Sequence, residues 1–210
     1  MKKIVLAALI LGAFSFSTFA QTQKGEKVVG LNIGYSLTGG VINAVGDNDF
    51  SGDSVGVVSV NVNAIPAISA TFDYGVGDKF SIGALVSFQS FSGEVNDYTY
   101  TDLQGQDRTE SVDFGLTRLN FSIVPRLHYG VKSDNVDLYS GLRLGWIHWV
   151  GNINTTDENF DLFDSFQGGR PNVGLILFGG RFYFSDEFGA NFELAAGAPY
   201  IASAGVQYRF

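Results

Sequence analysis

Along most of the chain, apolar residues alternate one by one with small or polar ones. A period of two marks a strand with two unlike faces. Eight segments show it. The first sets Leu31, Ile33, Tyr35 and Leu37 against Gly30, Asn32, Gly34 and Ser36. The second sets Ile68, Ala70, Phe72 and Tyr74 against Ser69, Thr71 and Asp73. The third sets Phe80, Ile82, Ala84, Val86 and Phe88 against Ser81, Gly83 and Ser87. The fourth sets Leu119, Phe121, Ile123, Leu127 and Tyr129 against Arg118, Asn120, Ser122, Arg126 and His128. The fifth sets Val136, Leu138, Leu142, Leu144 and Trp146 against Asp137, Gly141, Arg143 and Gly145. The sixth sets Ile176, Phe178, Phe182 and Phe184 against Gly179 and Arg181. The seventh sets Phe188, Ala190, Phe192 and Leu194 against Gly189, Asn191 and Glu193. The eighth sets Ala202, Ala204, Val206, Tyr208 and Phe210 against Ser203, Gly205, Gln207 and Arg209. No segment shows a helical period.

The connections alternate between tight and long. Gly77-Asp78-Lys79, Lys132-Ser133-Asp134-Asn135 and Ser185-Asp186-Glu187 are turn sequences suited to hairpins. Long connections run over about 39–65, 93–112 and 150–171, and a short one lies at Ala198-Pro199. Three turns at one end and four loops at the other fit eight antiparallel strands with both termini at the turn end. The expected fold is therefore all-β, an eight-stranded antiparallel up-and-down barrel. Val58, Val60, Val62 and Ala64 continue the parity of Ile68 to Tyr74, so the second strand is expected to rise above the barrel and offer an edge for a partner strand. Pro66 and Pro125 fall within strands, where bulges are expected to absorb the missing N–H.

The first residues follow another rule. Lys2 and Lys3 precede an apolar run from Ile4 to Phe14, too short to span a bilayer, and Thr18-Phe19-Ala20 supplies a small-x-small cleavage site. Residues 1–20 read as a cleaved export signal and 21–210 as one barrel domain. An exported barrel of this period faces either water or lipid. An eight-stranded barrel has an interior only just filled by side chains. The bulky set of Phe, Leu, Tyr and Ile does not suit that space, whereas Gly, Ser and Asn do. The apolar set also carries no charge on any strand. Reversing the faces would aim Arg118, Arg126, Arg143, Arg181 and Arg209 at lipid, at about 2–4 kcal/mol each near the midplane. The apolar face is therefore expected in lipid, in a transmembrane barrel of the outer membrane, with lipid and lipopolysaccharide as its surroundings. The inward Arg118, Arg126, Arg143 and Arg181 are expected to pair with Asp73, Asp137 and Glu193, since a buried charge needs a partner. Arg209 joins the same lumen set.

Composition narrows the function. With 210 residues and no cysteine, disulfide scaffolds, thiolate metal sites and cysteine nucleophiles are excluded. A net charge of −8 and a pI near 4.6 exclude nucleic acid as a partner. The three long connections hold 12 acidic residues and two basic ones, Arg108 and Arg170, so the acidity sits on the loops.

Val206-Gln-Tyr208-Arg-Phe210 closes the chain with alternating apolar residues and a terminal Phe. It resembles the C-terminal signal that outer-membrane barrels present to their assembly machinery, with Val206, Tyr208 and Phe210 as the signal. The stretch from Gly179 to Glu193 resembles the penultimate hairpin of the outer-membrane protein β-barrel-domain family. Its members are small eight-stranded barrels like OmpX and the membrane domain of OmpA. The resemblance implies that architecture and no shared catalytic motif.

Candidate chemistry is sparse. Some barrels of this size act on lipid A, which calls for a histidine between a nucleophile and a carboxylate. His128 is expected inward as a hydrogen-bonding group. His148 lies between Trp146 and Trp149, without the His-x-Ser pattern of the deacylases, since Trp149-Val150 follows. Tyr74, Tyr129, Trp146 and Trp149 read as interfacial aromatics. Asp47, Asn48, Asp49 and Asp53 match no EF-hand spacing, and the Gly-Gly pairs lack a phosphate-loop context. The reading is a barrel with a side-chain-filled lumen and a structural, adhesive or loop-mediated binding role, possessing neither catalytic centre nor cofactor. An extracellular ligand at the loops goes with it. The alternatives are a narrow porin-like barrel and a lipid-modifying enzyme.

Overall fold

The computed structural model describes residues 23–46, 50–52, 55–101, 105–130, 133, 135–155 and 166–210. The export signal and the acids Asp47, Asp49 and Asp53 lie outside them. Ten strands and one helix follow in order: β1 (Lys27–Tyr35), α1 (Leu37–Gly46), β2 (Phe50–Gly52), β3 (Val55–Ala64), β4 (Ala67–Gly77), β5 (Phe80–Thr101), β6 (Asp107–Tyr129), β7 (Val136–Thr155), β8 (Phe166–Tyr183), β9 (Phe188–Ala196) and β10 (Ala202–Arg209). Eight of the strands close a ring, β1–β4–β5–β6–β7–β8–β9–β10, every pair antiparallel. The seam joins the chain ends: Lys27 N donates to the Phe210 carbonyl at 3.0 Å, and Phe210 N returns to Lys27 at 2.9 Å. Closure leaves the ring without an edge, which a wall in lipid requires.

Faces follow the alternation. Leu31, Ile33, Phe72, Ile82, Phe121, Ile123, Leu144 and Phe188 stand exposed on the outer wall, while Asn32, Ser69, Asp73, Ser87, Asn120, Arg126, Arg143 and Gln207 are buried inside. Gly145 shows why the inner set is small. A Cβ there would press into the Phe121 carbonyl and Ser122 of the neighbouring strand.

Two of the one-residue bulges reverse faces expected from the alternation. Ala64 pairs with Phe91 and Ile68 with Phe88, so β3 and β4 form one long strand carrying an extra residue at Ile65-Pro66. Above it the even positions turn: Asn61 and Asn63 are exposed, and Val62 and Ala64 are half-buried. They do not continue the outward parity of Ile68 to Tyr74. The second bulge lies in β8. Tyr139 pairs with Gly179 but Gly141 with Ile176, and Ile176 pairs with Ala195 but Phe178 with Leu194. The extra residue is Leu177, so Leu177 and Phe178 both face out, and Ile176, read as lipid-facing, is buried inside at 0 % exposure. Pro125 makes no bulge; its β5 register runs unbroken from Gly83↔Val124 to Ser81↔Arg126.

The expected long connections over 93–112 and 150–171 are mostly strand. β5 and β6 pair up to Thr101↔Asp107, with one shift between Val95 and Tyr98, and β7 and β8 pair up to Gly151↔Phe166. Thr and Tyr residues suit a pleated ladder whatever charge stands between them. The helix α1 is also a departure from the all-strand reading. Ser36 caps it, its Oγ accepting from Gly39 N at 3.0 Å while Gly40 N reaches the Ser36 carbonyl at 3.0 Å. Gly39-Gly40 hides the helix in the sequence, because glycine is a poor helix former. Among the described residues no helix is long and apolar enough to cross a membrane.

Candidate functional site

The inward charges come from five strands. Asp73 stands on β4, Arg126 and His128 on β6, Asp137 and Arg143 on β7, Arg181 on β8 and Glu193 on β9. They form one alternating chain along the lumen. His128 Nδ1 meets Asp137 at 2.8 Å, and Arg181 donates to the other Asp137 oxygen at 3.2 Å. Arg181 and Arg126 both donate to Asp73. Arg126 also reaches Glu193 at 3.3 Å, and Arg143 donates to Glu193 at 2.6 Å and to the Tyr200 carbonyl at 3.1 Å. Three guanidinium groups therefore meet three carboxylates, and their formal charges cancel.

Aromatic hydroxyls and rings complete the set. Tyr139 donates to Glu193 at 2.9 Å, and Arg126 and Arg181 lie 5.2 and 4.9 Å from its ring centre. Tyr200 donates to Glu193 at 3.1 Å and stacks under Arg143 at 4.1 Å. Buried guanidiniums gain from such faces. Tyr139 shares the inward parity of Asp137, Gly141 and Arg143, a signal present in the sequence. Tyr200 carried no such signal, because it belongs to a connection.

That connection closes the outer end. Pro199 and Tyr200 turn inward and are fully buried, while Gly197 stays exposed. Arg118 ties the closure together. It donates to Gln89, to the Pro199 carbonyl and, at 3.4 Å, to Thr38 of α1. Its guanidinium also lies 5.6 Å from the Trp149 ring. Arg118 thus meets no carboxylate among the described residues, contrary to its expected pairing. The sequence placed it on the inner face, but it stands further up β6 than Arg126, at the level of Gln89 and Trp149 and away from the acids. Arg209 also stands apart. It donates to the Asp186 carbonyl and stacks on Tyr183 at the turn end, 3.9 Å from Glu26.

The aromatics divide. Tyr74 and Trp146 are exposed on the outer wall, and Tyr129, half-buried, donates to Ser140 on the same outward row. Trp149 is not with them. It lies on the inner row of β7 and stacks on the buried Phe91 at 5.8 Å. Its odd position, three from Trp146, puts the two indoles on opposite faces. Val206 and Phe210 face outward, and Tyr208 stacks with Phe188 at 4.9 Å and Phe210 at 5.8 Å.

An edgeless ring of eight strands, apolar outside and charged within, is stable only with lipid around it. The fold is that of a small outer-membrane β-barrel. No family model matches the sequence, and no curated protein matches it. Solved barrels are similar to it in shape. The N-terminal β-barrel domain of Pseudomonas aeruginosa OprF has 14% identity over 90% of this chain and 98% of its own, with a TM-score of 0.45. The outer membrane protein OprG of the same organism has 10% identity over 92% and 99%, with a TM-score of 0.49. Ail, the attachment invasion locus protein of Yersinia pestis, has 12% identity over 90% and 100%, with a TM-score of 0.44.

Within this barrel one trio has the order of a catalytic relay. His128 Nε2 lies 2.8 Å from Ser81 Oγ while Nδ1 faces Asp137. Ser81 is 1 % exposed, and the second Asp137 oxygen is taken by Arg181. A substrate carbonyl would need space against Ser81, and two residues on even a Cβ added at Gly83 would press into Asp73 and Arg126.

Proposed function

We propose that this outer-membrane barrel has a structural, adhesive or loop-mediated binding role, with a lumen closed to solutes. One observation supports the reading: every member of the ion chain from His128 to Arg143 is buried inside the barrel, and Pro199 and Tyr200 are buried at its outer end. Outer-membrane lipid and lipopolysaccharide surround the wall, any extracellular ligand meets the strand extensions and loops, and the export signal is removed after Ala20. Val206, Tyr208 and Phe210 serve the assembly machinery. Reconstituted in a planar bilayer, the protein is expected to add no reproducible conductance steps. Regular steps would favour the narrow porin-like alternative.

The barrel is proposed to have no enzymatic role, and the Ser81–His128–Asp137 trio to act as a clamp between β5, β6 and β7. A fluorophosphonate probe, which labels activated serines, is expected to leave the folded protein unmodified. Labelling that disappears in Ser81→Ala would show the trio to be a working nucleophile.

A further inference from the structure

We propose that the hollow at the outer mouth of the barrel binds a small organic anion with an apolar face, of about the size of a sugar acid. The hollow holds about 410 Å³ and is lined by Leu116, Trp149, Gly168, Gly169 and Arg170, within the range of small-molecule sites. Its floor is set by register. Gln89, Arg118, Trp149 and Gly168 form one row across β5, β6, β7 and β8. Phe91 backs the Trp149 indole. Gly168, directly opposite on β8, has no side chain to cover it. The indole, with Phe91 and the Arg118 guanidinium against it, borders the hollow. β9 pairs with β8 only as far up as Leu175, so on that side the hollow opens to water.

Charge selects the ligand. Asp73, Asp137 and Glu193 are committed to Arg126, Arg143, Arg181 and His128, so among the described residues Arg118 has neutral acceptors only. Arg170 is exposed on the rim of the hollow, and Arg118 is buried with its guanidinium 5.6 Å from the Trp149 ring that lines it. Two like charges beside one apolar platform repel each other, and an anion held by Arg170 over the indole offsets both, the buried Arg118 acting through its field. The hollow limits its size, since about 410 Å³ admits one small ring and not a polymer. A ring with one carboxylate and one apolar face fits the indole and the charges together. The site rests on the loop-end binding reading and is independent of whether the lumen conducts.

Trp146→Phe leaves Trp149 as the sole tryptophan of the two in the chain. With that full-length protein folded in detergent micelles, glucuronate is expected to change Trp149 emission saturably, with a Kd on the order of 1 mM. Glucose, equal in ring size but neutral, is expected to give no change. Arg170→Gln should weaken glucuronate binding by roughly tenfold, and Gly168→Leu, which fills the hollow, should abolish it. Both positions are at an open rim, and heat-modifiable gel mobility verifies that each variant is folded. The proposal is overturned if glucose and glucuronate act alike, if neither saturates, or if the folded variants bind as the parent does.

Discussion

Glu193→Ala is expected to destabilise the folded barrel by about 3–5 kcal/mol, the cost of leaving buried charges without their partner. Glu193 accepts from Arg126, Arg143, Tyr139 and Tyr200 at once. Arg126 would keep Asp73, but Arg143 would keep only the Tyr200 carbonyl. Urea unfolding in lipid vesicles measures the loss as a fall in midpoint. Glu193→Gln preserves shape and one acceptor oxygen, so its loss should be smaller. Asp186→Ala, on the exposed turn, should leave the midpoint nearly unchanged. If Glu193→Ala behaves like Asp186→Ala, the ion chain contributes little to stability.

The second large effect lies on the opposite face. Ile123 is 58 % exposed, near the middle of the barrel portion of β6, beside Ala84 and Leu144. Ile123→Arg is expected to cost about 2–4 kcal/mol in a bilayer, because the guanidinium would sit in hydrocarbon. Ile123→Ala should cost much less, since it removes apolar area without adding charge. A water-facing wall would accept Arg with an effect of about 0.5 kcal/mol or less. Equal unfolding midpoints for Ile123→Arg and Ile123→Ala in vesicles would therefore remove Ile123 from the lipid face.

Much of this was legible in the alternation. The period of two places Ile123 outside and Arg126 inside because a pleated strand sends successive side chains to opposite faces. The narrow interior then decides which face is which. What alternation cannot carry is a change of parity. One additional residue at Leu177 turns Ile176 inward, and the unbroken apolar run Leu175-Ile176-Leu177-Phe178 does not tell which residue slips. The same holds at Ile65-Pro66, where the proline signalled a bulge but not its consequence for Val62 and Ala64. At Pro125 the signal misled, since the β5 register continues through it. The candidate site was half visible. Arg126, Arg143 and Arg181 share the inner face with Asp73, Asp137 and Glu193, and their meeting follows from the lack of other partners. Arg118 shares the face but not the depth, and depth along the lumen depends on strand stagger, which a single sequence does not show. The plug by Pro199 and Tyr200 was hidden because a four- or five-residue connection reads as a surface turn.

The division of the two tryptophans offers the most direct test of the central claim, an apolar wall in lipid around a closed polar interior. Trp146 is 48 % exposed on the outer wall, whereas Trp149 stacks inside on Phe91. Two variants, Trp149→Phe and Trp146→Phe, each keep one indole, and each can be folded into vesicles containing lipids brominated on the acyl chains. Bromine quenches indoles that touch it. The account predicts strong quenching of Trp146 and little of Trp149. Equal quenching, or stronger quenching of Trp149, would contradict it.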